Sequence, residues 1–166
     1  MSKGFTFIEV IIAIFILVVV IVGVYNAFST MVVLTSDITM RFTAAYLAQE
    51  GLEIMRNIRD TNWINGRDWR AGLADANTNC ENGCQADYKS YNLSDAPYGD
   101  TYLKLDSNGF YNNTNGEDTK FKRKIIVKEV NPGGNSNVLY GDVIVTWEEK
   151  QKTYSFEAEE YLYNWY

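Results

Sequence analysis

The chemistry open to this chain is set by which ionisable residues it has and where they stand. Of 166 residues, 21 are acidic, 15 are basic, two are cysteines and none is histidine. Without imidazole there is no Ser-His-Asp or Cys-His nucleophile pair and no His-ligated zinc. Acid–base work would fall to Asp, Glu, Lys, Tyr or Cys, and no pairing of acids suggests glycosidase chemistry. The composition points away from an enzyme, and no cofactor is implied. A formal net charge of −6 argues against a phosphate-backbone binder, which needs clustered Lys and Arg, so direct nucleic-acid binding is not expected. The residues left to consider are Glu9, the pair Cys80 and Cys84, and two acidic clusters, Asp95 with Asp100 and Glu117-Asp118 near Asp106.

Glu9 is the most informative of these. From Phe5 to Phe28 it is the only charged side chain, and Val10 to Val24 carries no side-chain hydrogen bonder at all. As a helix the stretch would reach about 36 Å, enough to cross a hydrocarbon core of about 30 Å. A cleavable secretory signal has an apolar region of only about 7–15 residues and a small-x-small site, for which Ala27-Phe28-Ser29 is a poor match. A plain signal anchor fits the length. Neither reading accounts for a carboxylate that costs roughly 2.5–3.5 kcal/mol at mid-membrane, less toward an end. Glu9 calls for a partner. Lys3 with the terminal amine places the N-terminus in the cytoplasm.

The string Lys3-Gly4-Phe5-Thr6-Phe7-Ile8-Glu9-Val10, followed by that apolar run, resembles the class III signal of type IV prepilins and pseudopilins. The resemblance implies that a prepilin peptidase cuts after Gly4 on the cytoplasmic side and N-methylates Phe5. It also implies that Glu9 neutralises the N-terminal amine of a neighbouring subunit, and a paired charge in low dielectric is tolerable where an isolated one is not. Many pilins carry a proline near the outer end of the apolar segment; here Gly23 and the β-branched Val18–Val24 run are the candidates for local weakening. The segment Ala48-Gln49-Glu50-Gly51-Leu52-Glu53-Ile54-Met55-Arg56-Asn57 with Arg59-Asp60 resembles the helix-end signature of minor pilins of the V type. So does the ending Tyr161-Leu162-Tyr163-Asn164-Trp165.

These residues must be positioned by the rest of the chain. Apolar residues recur at helical spacing through Leu34, Ile38, Phe42 and Ala45, then Leu47, Gly51, Ile54 and Ile58, which predicts a helix continuing to about Arg59. Residues 61–100 are rich in Asn, Asp, Gly and Ser and read as a long loop. In it, Trp63 and Trp69 either pin the loop to the domain or form a recognition patch. Cys80-Glu81-Asn82-Gly83-Cys84 can close a small disulfide loop in an exported domain, worth roughly 2 kcal/mol in the chain-entropy model; the pair lacks a tetrahedral metal set. The acidic clusters are either calcium loops or solvated acids, and neither has the spacing of an EF-hand.

Strands follow. Thr101–Leu105 and Phe110–Tyr111 flank the turn Asp106-Ser107-Asn108-Gly109, and Phe121–Val130, Val138–Glu148 and Lys152–Trp165 are longer. They are joined by residues 131–137 and by a tight turn near Glu149–Gln151. In the last strand Tyr154, Phe156, Ala158 and Leu162 share one face, and Thr153, Ser155, Glu157 and Glu159 the other. Tyr161, Tyr163, Trp165 and Tyr166 form either an aromatic binding surface or strand packing with a subunit contact.

The expected fold is α+β and type IV pilin-like: one long N-terminal α-helix whose outer half packs on an antiparallel β-sheet. Its parts would be a leader (1–4), a transmembrane or filament-core half-helix (5–28) and an exported domain (29–166). That domain would hold helix 29–60, variable loop 61–100 and sheet 101–166. The resemblance implies a minor pilin or pseudopilin, a structural subunit of a type IV pilus-like filament or type II secretion-like pseudopilus. It would start as a single-pass protein of the cytoplasmic membrane and end in a cell-surface or periplasmic filament. Its partners would be prepilin peptidase, other pilin subunits, an assembly platform protein and an ATPase. The alternative is a membrane-anchored extracytoplasmic binding module with loop 61–100 as its ligand site.

Overall fold

The computed structural model describes residues 4–74, 80–93, 97–130 and 137–165; Asp95, Tyr166 and most of the 131–137 connection lie outside them. One helix, α1 (Phe7–Ile64), takes up 58 residues. It starts where the carbonyl of Thr6 accepts the amides of Glu9 and Val10 at 3.1 and 3.3 Å. It runs one turn beyond the expected Arg59. Its stop is Gly66, in the left-handed region at φ 64°: the Gly66 amide bonds the Trp63 carbonyl and the Arg67 amide bonds that of Asn62. That pair of bonds is a Schellman cap, which glycine adopts without a Cβ penalty.

The chain divides into two compact units, Met1–Met40 and Arg41–Tyr166. In the first, every residue from Gly4 to Thr35 is exposed. Leu34 and Ile38, expected to begin the packing stripe, are exposed as well. Four hydroxyls of this segment are satisfied locally: Ser29, Thr30, Thr35 and Thr39 each donate to the carbonyl four residues back, at 2.8–3.0 Å. A hydroxyl bonded this way makes little demand on its surroundings.

In the second unit the buried stripe begins at Ala44 and continues through Leu47, Ala48, Gly51, Ile54, Met55 and Ile58. Its spacing of three and four residues is that of one helix face. The stripe packs on an antiparallel sheet of β4 (Phe121–Glu129), β5 (Val138–Glu149) and β6 (Lys152–Tyr163), in that spatial order. Phe121, Ile125, Val127, Leu139, Val143, Val145, Trp147 and Leu162 supply the core from the sheet side, alternating with the other face as strand geometry requires. Two glycines let the layers approach: a Cβ on Gly51 would meet the Val143 methyls, and one on Gly141 would meet the end of Met55.

A smaller sheet has β1 (Lys104–Leu105) between β2 (Tyr111–Asn112) and β3 (Glu117–Asp118). The expected hairpin about Asp106–Gly109 is there, with Leu105 opposite Tyr111. Strand β3 falls where the sequence suggested only an acidic cluster; it pairs with β1, and Asp118 forms an ion pair with Lys104 at 3.0 Å. Strand β6 also differs from expectation. Phe156, assigned to the packing face, is 37% exposed, because β6 is an edge strand and its middle is not covered.

Candidate functional site

Glu9 stands at the third residue of α1, and Thr6 is the residue before its first turn. Thr6-Phe7-Ile8-Glu9 therefore has the spacing of a capping box, and a carboxylate in the first turn lies at the positive end of the helix dipole. The dipole partly offsets the cost of the charge but supplies no full counter-charge. Basic residues are absent between Lys3 and Arg41. Gly4 and Phe5 precede the helix in an open segment, with Phe5 84% exposed, so the backbone between them is accessible. Around Glu9 the side chains of Phe7, Ile8, Ile11 and Ile12 are exposed too: an apolar surface with one embedded charge.

The head brings together residues that the sequence reading kept apart. Cys80 and Cys84 are disulfide-bonded, and both are buried. Their loop continues the main sheet past β4: Cys84 and Ile125 exchange both backbone hydrogen bonds, at 2.7 and 2.9 Å, and the Val127 amide reaches the Cys80 carbonyl. Gly83 permits this at φ 107°, where a side chain would strike the Lys124 stem. On its other side the loop is held by the Tyr98 amide, which bonds the Gly83 carbonyl at 3.1 Å.

Arg123, which no sequence signal marked, is 1% exposed. Its guanidinium donates to the Leu47 carbonyl, the Glu50 carboxylate and the Ala86 carbonyl, tying helix, loop and β4 to one planar group. Arg59 does the same at the helix end. It lies 4.7 Å from the Trp63 ring centre and 5.0 Å from that of Trp165, while Trp63 donates to Asn164. Trp63 thus fixes the C-terminal segment to α1. Trp69 is buried, with its carbonyl held by Asn62. Both tryptophans pin the structure.

The acids proposed for calcium have other partners. Asp100 accepts from Tyr98 and Lys122, and these two hold its carboxyl below the usual range. Asp106 accepts the amides of Asn108 and Phe110. Glu117 and Asp118 are in β3. Among the described residues no group of three or more Asp, Glu or Cys side chains is placed to hold a metal ion.

Two further features were not marked in the sequence. Tyr88 and Phe110, from separate loops, lie 5.2 Å apart at the surface. Asp142 is 6% exposed, on the face of β5 away from the helix, and its Oδ1 has no hydrogen-bond partner. Burial, with Glu157 and Glu159 alongside, pushes its carboxyl up to about 6.

Residues 1–25 match the family model of the prokaryotic N-terminal methylation motif, the class III signal of type IV pilins. No curated protein and no solved structure matches the chain. A long N-terminal helix followed by antiparallel sheets is an α+β arrangement of the type IV pilin-like kind.

Proposed function

We propose that this chain, with its N-terminal methylation motif and its apolar N-terminal helix, is a structural subunit, a minor pilin or pseudopilin. It would be made as a single-pass membrane precursor and assembled into a pilus-like filament or pseudopilus. The observation that carries the reading is the first unit of α1. Its residues from Phe5 to Thr35 are apolar with few exceptions and wholly exposed, so their burial must come from lipid first and from other helices later. Glu9 gives that second environment its register. Once the chain is cut after Gly4, Phe5 has a free amine four residues from Glu9 in sequence, and a neighbouring copy can present its own amine to the carboxylate.

On this reading the head (41–166) faces water, and its 46% hydrophobic parent composition is an average over two unlike parts. Processing needs a prepilin peptidase, and extraction from the membrane needs a platform protein and an ATPase. The mass of the mature N-terminus tests the proposal. Loss of Met1–Gly4 with an added methyl group on Phe5 is expected. An intact Met1 in cells with an active prepilin peptidase would falsify it, and leave a membrane-anchored binding module.

A further inference from the structure

The sheet face away from α1 has a definite layout. Register places Ile126, Asp142 and Glu159 in one row across β4, β5 and β6; Lys124, Ile144 and Glu157 in the next; and Lys128, Tyr140 and Tyr161 on the other side. Asp142 is therefore directly opposite Glu159 and diagonal to Glu157. Like charges set opposite one another on a sheet repel, and a cation placed among them relieves the repulsion. The Tyr140 ring is 5.5 Å from that of Tyr161.

Of the lysines on this face, Lys128 draws the Asp142 carboxyl down, less than burial and the glutamates push it up. Lys124 lies over the Tyr98 ring at 5.4 Å, Lys122 is bonded to Asp100, and Lys128 is exposed and diagonal to Asp142. Asp142 Oδ1 is left buried without a donor, which costs more than a satisfied group. Carboxylates beside two tyrosine rings fit an ammonium or guanidinium ion, by charge and by cation–π attraction.

The same chain presents such a group elsewhere. The β5–β6 turn, Lys150-Gln151-Lys152, is exposed, and Lys150 and Gln151 are in the left-handed region at φ 50° and 64°. Along β6, Lys152 and Glu159 are separated by about 23 Å at strand rise. Both belong to one antiparallel hairpin, so turn and patch cannot meet within a copy. They can meet between copies. Contact of two different patches is heterologous, and such contacts propagate into rings or helical filaments rather than closing as two-fold dimers.

We infer that Asp142, Glu157 and Glu159, with Tyr140 and Tyr161, form a docking surface for the Lys150–Lys152 turn of a second copy of this chain. The inference rests on the proposed assembly and names the head contact within it. The test is zero-length carbodiimide coupling on filaments of the full chain, made from mixed isotope-labelled and unlabelled copies. Mixed-isotope peptides joining Lys150 or Lys152 to Glu157 or Glu159 are expected. A second arm uses charge reversal. Glu157→Lys with Glu159→Lys, and separately Lys150→Glu with Lys152→Glu, should each lower filament yield about tenfold or more, and the fourfold variant should recover most of it.

Filaments that form with mature, methylated Phe5 but give no such cross-link overturn this inference and leave the proposed function standing. So does a fourfold variant no better than either double. Cross-links from these glutamates only to lysines of a different protein overturn it as well. An intact Met1 with no filaments overturns both.

Discussion

A β-carbon at Gly51 would lie 2.8 Å from Cγ1 of Val143, closer than packed atoms come. Helix and sheet therefore meet at a distance set by the absence of one side chain. The corresponding glycine of the sheet, Gly141, would meet the Cε of Met55 at 2.7 Å, but that atom ends a flexible chain. Val143 is β-branched and stiff. Gly51→Ala should lose about 1–3 kcal/mol by overpacking despite a better helix propensity, and Gly141→Ala should lose less. Thermal unfolding of the two variants in one detergent checks the order; the reverse order would mean that Val143 has room to turn.

Asp142 sets the response of the head to pH. Its folded value is raised to about 6 from 3.8, so the folded chain holds a proton that the unfolded chain releases. The sign follows from linkage: stability is present in full below the unfolded value and is lost as pH rises through about 6. Asp142→Asn keeps the shape without the ionisation. It should be more stable than the parent at pH 7, and its melting temperature should change less between pH 4 and 7. A variant with an unchanged pH slope would show that Asp142 is solvated.

Two substitutions separate the charge of Glu9 from its place in the first turn of α1. Glu9→Gln keeps the capping-box geometry, since Gln serves in that position; Glu9→Val removes cap and charge together. Both should be inserted and cleaved after Gly4. If charge pairing with a neighbouring amine drives assembly, both should fail to form filaments. Normal assembly of Glu9→Gln would assign Glu9 to helix capping alone.

The Cys80–Cys84 loop can be tested at the strand that it covers. Cys80→Ser with Cys84→Ser should cost about 2 kcal/mol by the entropy of so short a loop. It should also raise amide hydrogen exchange selectively at Ile125 and Val127, whose N–H groups bond Cys84 and Cys80. Equal exchange across β4, β5 and β6 would mean that the loop stays docked without its bond.

Sequence patterns found the long elements because these repeat: the helical spacing from Leu47 to Ile58, and the alternation along β5. The leader was legible because Gly4, Phe5 and Glu9 sit at fixed offsets in a run with little else. Features built from single residues or from distant pairs were harder to see. Asn65-Gly66 stops α1, but the polar run Asp60-Thr61-Asn62 before it looked like loop. The β5–β6 turn fell where it was expected, near Glu149–Gln151, but its positive φ at Lys150 and Gln151 was not marked by an Asn-Gly pair. Arg123 and Asp142 each sit among alternating strand residues, and their burial depends on elements far away in the chain.

The sealed side of the main sheet has a consequence for crowding. Backbone groups of β4 are taken up by the disulfide loop and by Leu103, whose amide bonds the Phe121 carbonyl. The outer side of β6 has no strand neighbour among the described residues. Among the described residues, β6 is the open edge by which copies concentrated in one membrane could merge their main sheets. An antiparallel joint centred near Glu157–Glu159 would set glutamate against glutamate, which opposes pairing. The acidic edge thus works as an insulator against strand-to-strand joining alone, while the greasy ends of the chains are free to collide.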